Sequence, residues 1–146
     1  MKNKPHSSSK KIVVVEDDED IRLLYQEILT SEGFDVEVAE NGEAALRILN
    51  SLERLPCLIL TDFMMPGING SQLVKLLRMN DLLISIPVVM ISARPLTDLE
   101  IKDVEFLKKP IDVDTIIQKV KEYCGPYNTS CLTHEEKKQH LQDELT

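Results

Sequence analysis

Three short stretches of this 146-residue chain leave little freedom of fold: Ile12-Val13-Val14-Val15, Leu58-Ile59-Leu60-Thr61 and Val88-Val89-Met90-Ile91. Each is apolar almost without a break, rich in branched side chains, and too short for a buried helix. A strand points successive side chains to opposite faces, so an unbroken apolar strand has to be covered on both. That pattern belongs to a parallel sheet with helices on either side.

The intervening segments supply those helices. Ile21, Leu24, Tyr25, Ile28 and Leu29 recur with the spacing of an amphipathic helix, which Gly33 closes. The first strand runs from Lys11 to Glu16. Asp35 to Ala39 alternates as a second, more exposed strand, and Asn41-Gly42 turns the chain into a short helix through Ala44, Ala45, Leu46, Ile48 and Leu49. Pro56 precedes the third strand, Cys57 to Thr61. After a Pro66–Gly70 loop, Leu73, Leu76 and Leu77 mark a third helix that frays around Asn80. Pro87 opens the fourth strand, Val88 to Ser92, and Val104 to Lys108 makes a short fifth. Asp112 or Asp114 caps a last helix with the stripe Val113, Ile116, Ile117, Val120 and Cys124, ended by Gly125-Pro126. Strands alternating with helices over short connections imply right-handed βαβ units and a doubly wound α/β domain of five strands and about five helices. The expected organisation is a flexible tail over 1–9, the domain over 10–125, and a polar tail over 126–146. That last tail is disordered or a marginal helix starting from the capping box Thr133-x-x-Glu136.

A net charge of −8 argues against a nucleic-acid binder, which would show a basic stripe. No apolar stretch approaches the roughly 20 residues that span a bilayer. The basic, serine-rich start, Met1 to Lys11, leads into too few apolar residues for a signal peptide. The expectation is a cytoplasmic protein that meets neither membrane nor nucleic acid, with a tail far too short for a DNA-binding domain. Cys57, Cys124 and Cys131 are odd in number and lack C-x-x-C spacing, so neither a disulfide framework nor a zinc knuckle is indicated. Cys57 reads as a small buried hydrophobe. Cys131, near His134 and His140, is short of a fourth metal ligand. All three histidines, His6 included, lie in the tails, which leaves the domain without one for general base work.

In a parallel sheet every strand ends at the same edge, and open α/β sheets keep their ligand sites there. Four features gather at that edge: Glu16-Asp17-Asp18 after strand one, Asp62 after strand three, Ser92 ending strand four, and Lys109-Pro110 after strand five. Carboxylates brought together repel, and must be neutralised or hold a cation. Singly, an acid after a strand is often a helix cap and Lys-Pro often a turn. Asp18 takes that bland role, as a helix-start residue.

The stretches Val-Val-Glu-Asp-Asp-Glu, Ala-Glu-Asn-Gly-Glu-Ala-Ala-Leu, Thr-Asp-Phe-Met-Met-Pro-Gly-Ile-Asn-Gly, Ile-Ser-Ala and Leu-Lys-Lys-Pro carry a resemblance in their order and spacing. The chain resembles the receiver domain of two-component response regulators from Lys10 to Cys124. The resemblance implies a flavodoxin-like sheet of strand order 2-1-3-4-5. It also implies that Asp62 is a phosphoacceptor forming an aspartyl phosphate. One Mg²⁺ would be held by Asp17, Asp62 and the backbone carbonyl of Met64, with Glu16 acting through a water. Ser92 and Lys109 would meet phosphoryl oxygens. Lys109-Pro110 is expected as a cis peptide. Ser92 and Phe106 would form the switch pair, and Met64 and Arg94 stand where phosphoryl lifetime is tuned. The implied partners are a histidine kinase or histidine phosphotransfer protein upstream and a protein partner downstream. The chain itself is expected as a monomer or weak homodimer, and not as an enzyme beyond its own phosphorylation and dephosphorylation.

One spacing departs from the family. Ser92 and Lys109 are 17 positions apart, which is short by about one helical turn. This implies a shortened fourth helix, between strands four and five, within Leu96 to Asp103 and restricted at its start by Pro95. Two alternatives stay open. A haloacid-dehalogenase-like phosphatase shares the strand-end Asp, Ser, Lys and Mg²⁺, but wants a second acid where this chain has Met64. A pseudo-receiver docking module would not need the acidic set that is present.

Overall fold

The computed structural model describes residues 10–93 and 104–125. In chain order the elements are β1 (Lys11–Val15), α1 (Glu19–Ser31), β2 (Asp35–Ala39), α2 (Gly42–Ser51), β3 (Leu58–Asp62), α3 (Gly70–Arg78), β4 (Val88–Ser92), β5 (Val104–Lys108) and α4 (Val113–Cys124). All strand pairs are parallel, in the order β2-β1-β3-β4-β5. Both the expected fold class and the expected strand order are present. β1 stops one residue earlier than expected and β3 starts and ends one later, so Asp62 is the last residue of its strand. The shortened helix between strands four and five, Arg94 and both tails lie outside the described residues.

The unbroken apolar strands are buried on both faces, as their composition requires. Val13, Val15, Ile59, Val88 and Met90 pack under α2 and α3, while Ile12, Val14, Leu58, Leu60, Val89 and Ile91 pack under α1 and α4. All four described helices begin at the C-terminal edge of the sheet, and each begins on an Asx cap. Asp18 accepts from Ile21 N at 3.1 Å, Asn41 from Ala44 N at 2.7 Å, Asn69 from Gln72 N at 2.8 Å and Asp112 from Thr115 N at 2.7 Å. Asp112, not Asp114, therefore caps the last helix. At the other end of α1, Gly33 takes φ +94 and the amides of Gly33 and Phe34 return to Thr30 and Leu29, which is why a glycine closes this helix.

Two expectations change on packing. On α3 the buried face is Leu73, Val74 and Leu77, while Leu76 is exposed. Next to β3, Met65 fills the core while Met64 stands 54% exposed. Cys57 is buried, yet not as a free thiol: it is disulfide-bonded to Cys124, with Cα atoms 5.5 Å apart. The two cysteines are 67 residues apart in sequence. Only the fold brings the start of β3 against the last turn of α4, and neither count nor spacing signals it. Beside this bond Lys10 Nζ donates to Gly125 O at 2.6 Å, tying the same edge again.

Candidate functional site

The C-terminal edge gathers the expected residues. Glu16 leaves β1, Asp62 ends β3, Ser92 ends β4 and Lys109 follows β5. Oxygen atoms of Glu16, Asp17 and Asp62 lie within 4.8 Å of one another. Glu16 is 3% exposed and Asp62 7%, while Asp17 faces solvent. Lys109 Nζ is 2.9 Å from Asp62 Oδ1 and 4.0 Å from Glu16 Oε1. Its amide donates to the carbonyl of Ser92 at 2.8 Å, so β4 positions the lysine that β5 delivers. The Lys109-Pro110 bond is cis, as expected. Ser92 is buried at the head of β4. Phe106, half-buried on β5, stands opposite Met90 in the sheet register and packs on the α2 and α3 side. Asp18 is outside the acidic cluster and serves as the α1 cap.

The electrostatics follow from the burial. Glu16 is raised to about 7, first by burial and then by Asp62 and Asp17, with the Asp18 amide and Lys109 pulling the other way. Burial also raises Asp62 and Asp17 adds to it, while the hydrogen bond and charge of Lys109 oppose them. Burial works against the charge of Lys109, but Asp62 and Glu16 outweigh it and leave its pKa raised. One ammonium thus pairs with the two buried members of a three-carboxylate cluster. The excess charge and the all-oxygen donor set fit a hard divalent cation such as Mg²⁺.

Two contributors escaped the sequence reading. Arg22 Nη1 donates to the backbone oxygens of Glu16 at 2.9 Å and Asp17 at 3.4 Å. Its signal was a cation near the start of α1, where the helix dipole disfavours one. Gly70 lies against the strand end itself: a Cβ there would stand 2.8 Å from Asp62 O and 3.0 Å from Phe63 Cα. Its amide donates to Phe63 O at 2.8 Å.

A profile of the family described as Response regulator receiver domain matches residues 12–121. This chain belongs to that family. The receiver domain is 34% identical over 118 residues to the phosphate regulon transcriptional regulatory protein PhoB of Klebsiella pneumoniae, covering 77% of this chain and 51% of that protein. It is 33% identical to the probable transcriptional regulator ycf29 of Porphyra purpurea, covering 77% of this chain and 56% of the relative. The chain therefore spans about half the length of the curated relatives it matches. Among solved structures, the response regulator protein TrrA of Thermotoga maritima, in complex with Mg²⁺–BeF, superposes with a TM-score of 0.69 at 32% identity, covering 78% of this chain and 98% of that one. The Vibrio cholerae chemotaxis protein CheY4 shares the fold, with a TM-score of 0.72 at 23% identity over 79% of this chain and 98% of its own. As a receiver domain of a two-component system the chain is a phosphorylation-based signalling switch rather than a conventional enzyme. No described helix is long and apolar enough to cross a membrane.

Proposed function

We propose that Asp62 accepts a phosphoryl group from the phosphohistidine of a histidine kinase or phosphotransfer protein. The supporting observation is the edge itself: Lys109 Nζ sits 2.9 Å from Asp62 Oδ1, inside a set of three carboxylates that lie within 4.8 Å of one another. An Asp62 oxygen attacks phosphorus, the P–N bond of the donor breaks, and an acyl phosphate forms on the protein. The released imidazole takes its proton from solvent. Glu16, Asp17, Asp62 and the backbone carbonyl of Met64 would hold Mg²⁺, which when bound offsets the carboxylate charge and the charge on the transferring group. Lys109 exchanges its ion pair with Asp62 for one phosphoryl oxygen, and the Ser92 hydroxyl meets another. Inward movement of Ser92 then draws Phe106 toward the edge, which changes what the domain binds.

A protein donor suits the surroundings. An apolar groove of about 460 Å³, lined by Leu24, Tyr25, Ile28 and Val113, runs up to Lys109 and Pro110. The dehalogenase-type alternative still lacks its second acid, because Met64 stands two positions after Asp62 and offers no proton. Acetyl phosphate with Mg²⁺ should add one phosphoryl group, about 80 Da, to wild type by intact-mass spectrometry. Asp62→Asn, and wild type in excess EDTA, should gain none. An adduct that survives in Asp62→Asn would place the acceptor elsewhere.

A further inference from the structure

We infer that Arg22 is a positioning residue for the cation-binding edge, and that it works on the backbone of the β1–α1 loop rather than on any ligand directly. The inference rests on the metal reading above. Past Val15 the strand ladder of β1 ends, and the next two carbonyls, Glu16 O and Asp17 O, need partners elsewhere. Arg22 Nη1 supplies both, at 2.9 Å and 3.4 Å. The loop is tied on its other side as well. Asp18 N donates to Glu16 Oε2 at 3.1 Å, Glu16 N to Ala39 O at 3.0 Å, and Arg22 N to Asp18 O at 2.9 Å. With both carbonyls drawn to the guanidinium, the Glu16 and Asp17 side chains gather with Asp62.

A cation is an unusual choice for this task. α1 starts at Glu19 with acidic residues in its first turn, and the helix dipole there penalises positive charge. The guanidinium bonds to the backbone oxygens of Glu16 and Asp17, so its charge stands beside the loop that carries two of the proposed metal ligands. Holding the loop carbonyls is the interaction that offsets this dipole cost. Groups that orient metal ligands from one step away are typically worth about 10- to 100-fold in metal affinity.

The test is a Mg²⁺ titration of the full ¹⁵N-labelled chain, reading amide shifts of Asp17 and Asp62, for wild type, Arg22→Met and Arg22→Lys, with thermal melts in EDTA alongside. Arg22→Met should raise the Mg²⁺ Kd about tenfold or more, and Arg22→Lys should recover most of it, because a single nitrogen makes both bonds. An unchanged Kd with a lowered Tm in EDTA would show a purely structural residue and overturn the inference. A tighter Kd would show that Arg22 only repels the ion, and overturns it equally. Should Arg22→Met fail to fold, Arg22→Gln carries the same comparison against Arg22→Lys. Absence of Mg²⁺ binding in wild type would sink the metal reading itself, a result distinct from any difference among the variants.

Discussion

The Glu16 carboxylate is 3% exposed, stands 4.0 Å from Lys109 and shares its surroundings with Asp17 and Asp62. Its pKa is raised from 4.5 to about 7. Between those values the native state keeps a proton that the unfolded chain has released, so the stability of the metal-free protein must fall as pH rises through this window. Asp62, also raised, acts in the same sense. Lys109, raised above 10.5, loses its contribution only in the alkaline range. Urea unfolding in EDTA should therefore show stability lower at pH 7.5 than at pH 5, by roughly 1–3 kcal/mol. Glu16→Gln should flatten most of that slope. A stability that stays flat over the same interval in wild type would mean the site's carboxylates ionise as ordinary surface groups do, and would overturn the expectation.

Around Asp62 the decisive element is the β3–α3 connection. Gly67 takes φ +77, and Ile68 packs so closely on the start of α2 that a Cβ on Gly42 would lie 2.8 Å from its Cγ2. Gly70 opens α3 against the backbone of Asp62 and Phe63, which cannot give way as a flexible side chain would. Gly70→Ala should lower stability by about 1–3 kcal/mol in urea melts and reduce the yield of acetyl-phosphate labelling, because the shift it forces falls on Asp62. Unchanged labelling would show that the loop moves without the strand end. The Pro and Gly cluster after Asp62 reads in the sequence as a turn. That Gly70 is there for close approach to the strand end is a fact about two elements, and no local pattern records it.

On the scale of the whole molecule, the sheet separates two functions by its two edges. The carboxylates and Lys109 occupy one, and the Cys57–Cys124 bond occupies the other, joining the start of β3 to the end of α4. A link across 67 residues is expected to contribute up to about 4 kcal/mol through the unfolded state. Thermal melts should show a Tm at least about 5 °C lower with reductant than without, and Cys57→Ser/Cys124→Ser should not respond to reductant. Asp62 labelling should be the same in all these states, since the bond lies a full strand away. A Tm indifferent to reductant in wild type would mean the pair is not joined in solution.

The apolar runs by themselves determined the parallel sheet and its two helical layers, because burial on both faces demands that composition. Strand polarity then put Glu16, Asp17, Asp62, Ser92 and Lys109 on one edge, so the candidate site was legible before any coordinates, and the short span from Ser92 to Lys109 was legible with it. Tertiary structure alone decided three things: the Arg22 bonds to the loop carbonyls, the close approach of Gly70 to Asp62, and the pairing of Cys57 with Cys124. Each depends on which particular atoms meet, across a single loop for Arg22 and between elements for Gly70 and the cysteines. Sequence periodicity reports which face a residue occupies within its own element, and it carries no information on which atoms of another element lie within bonding reach.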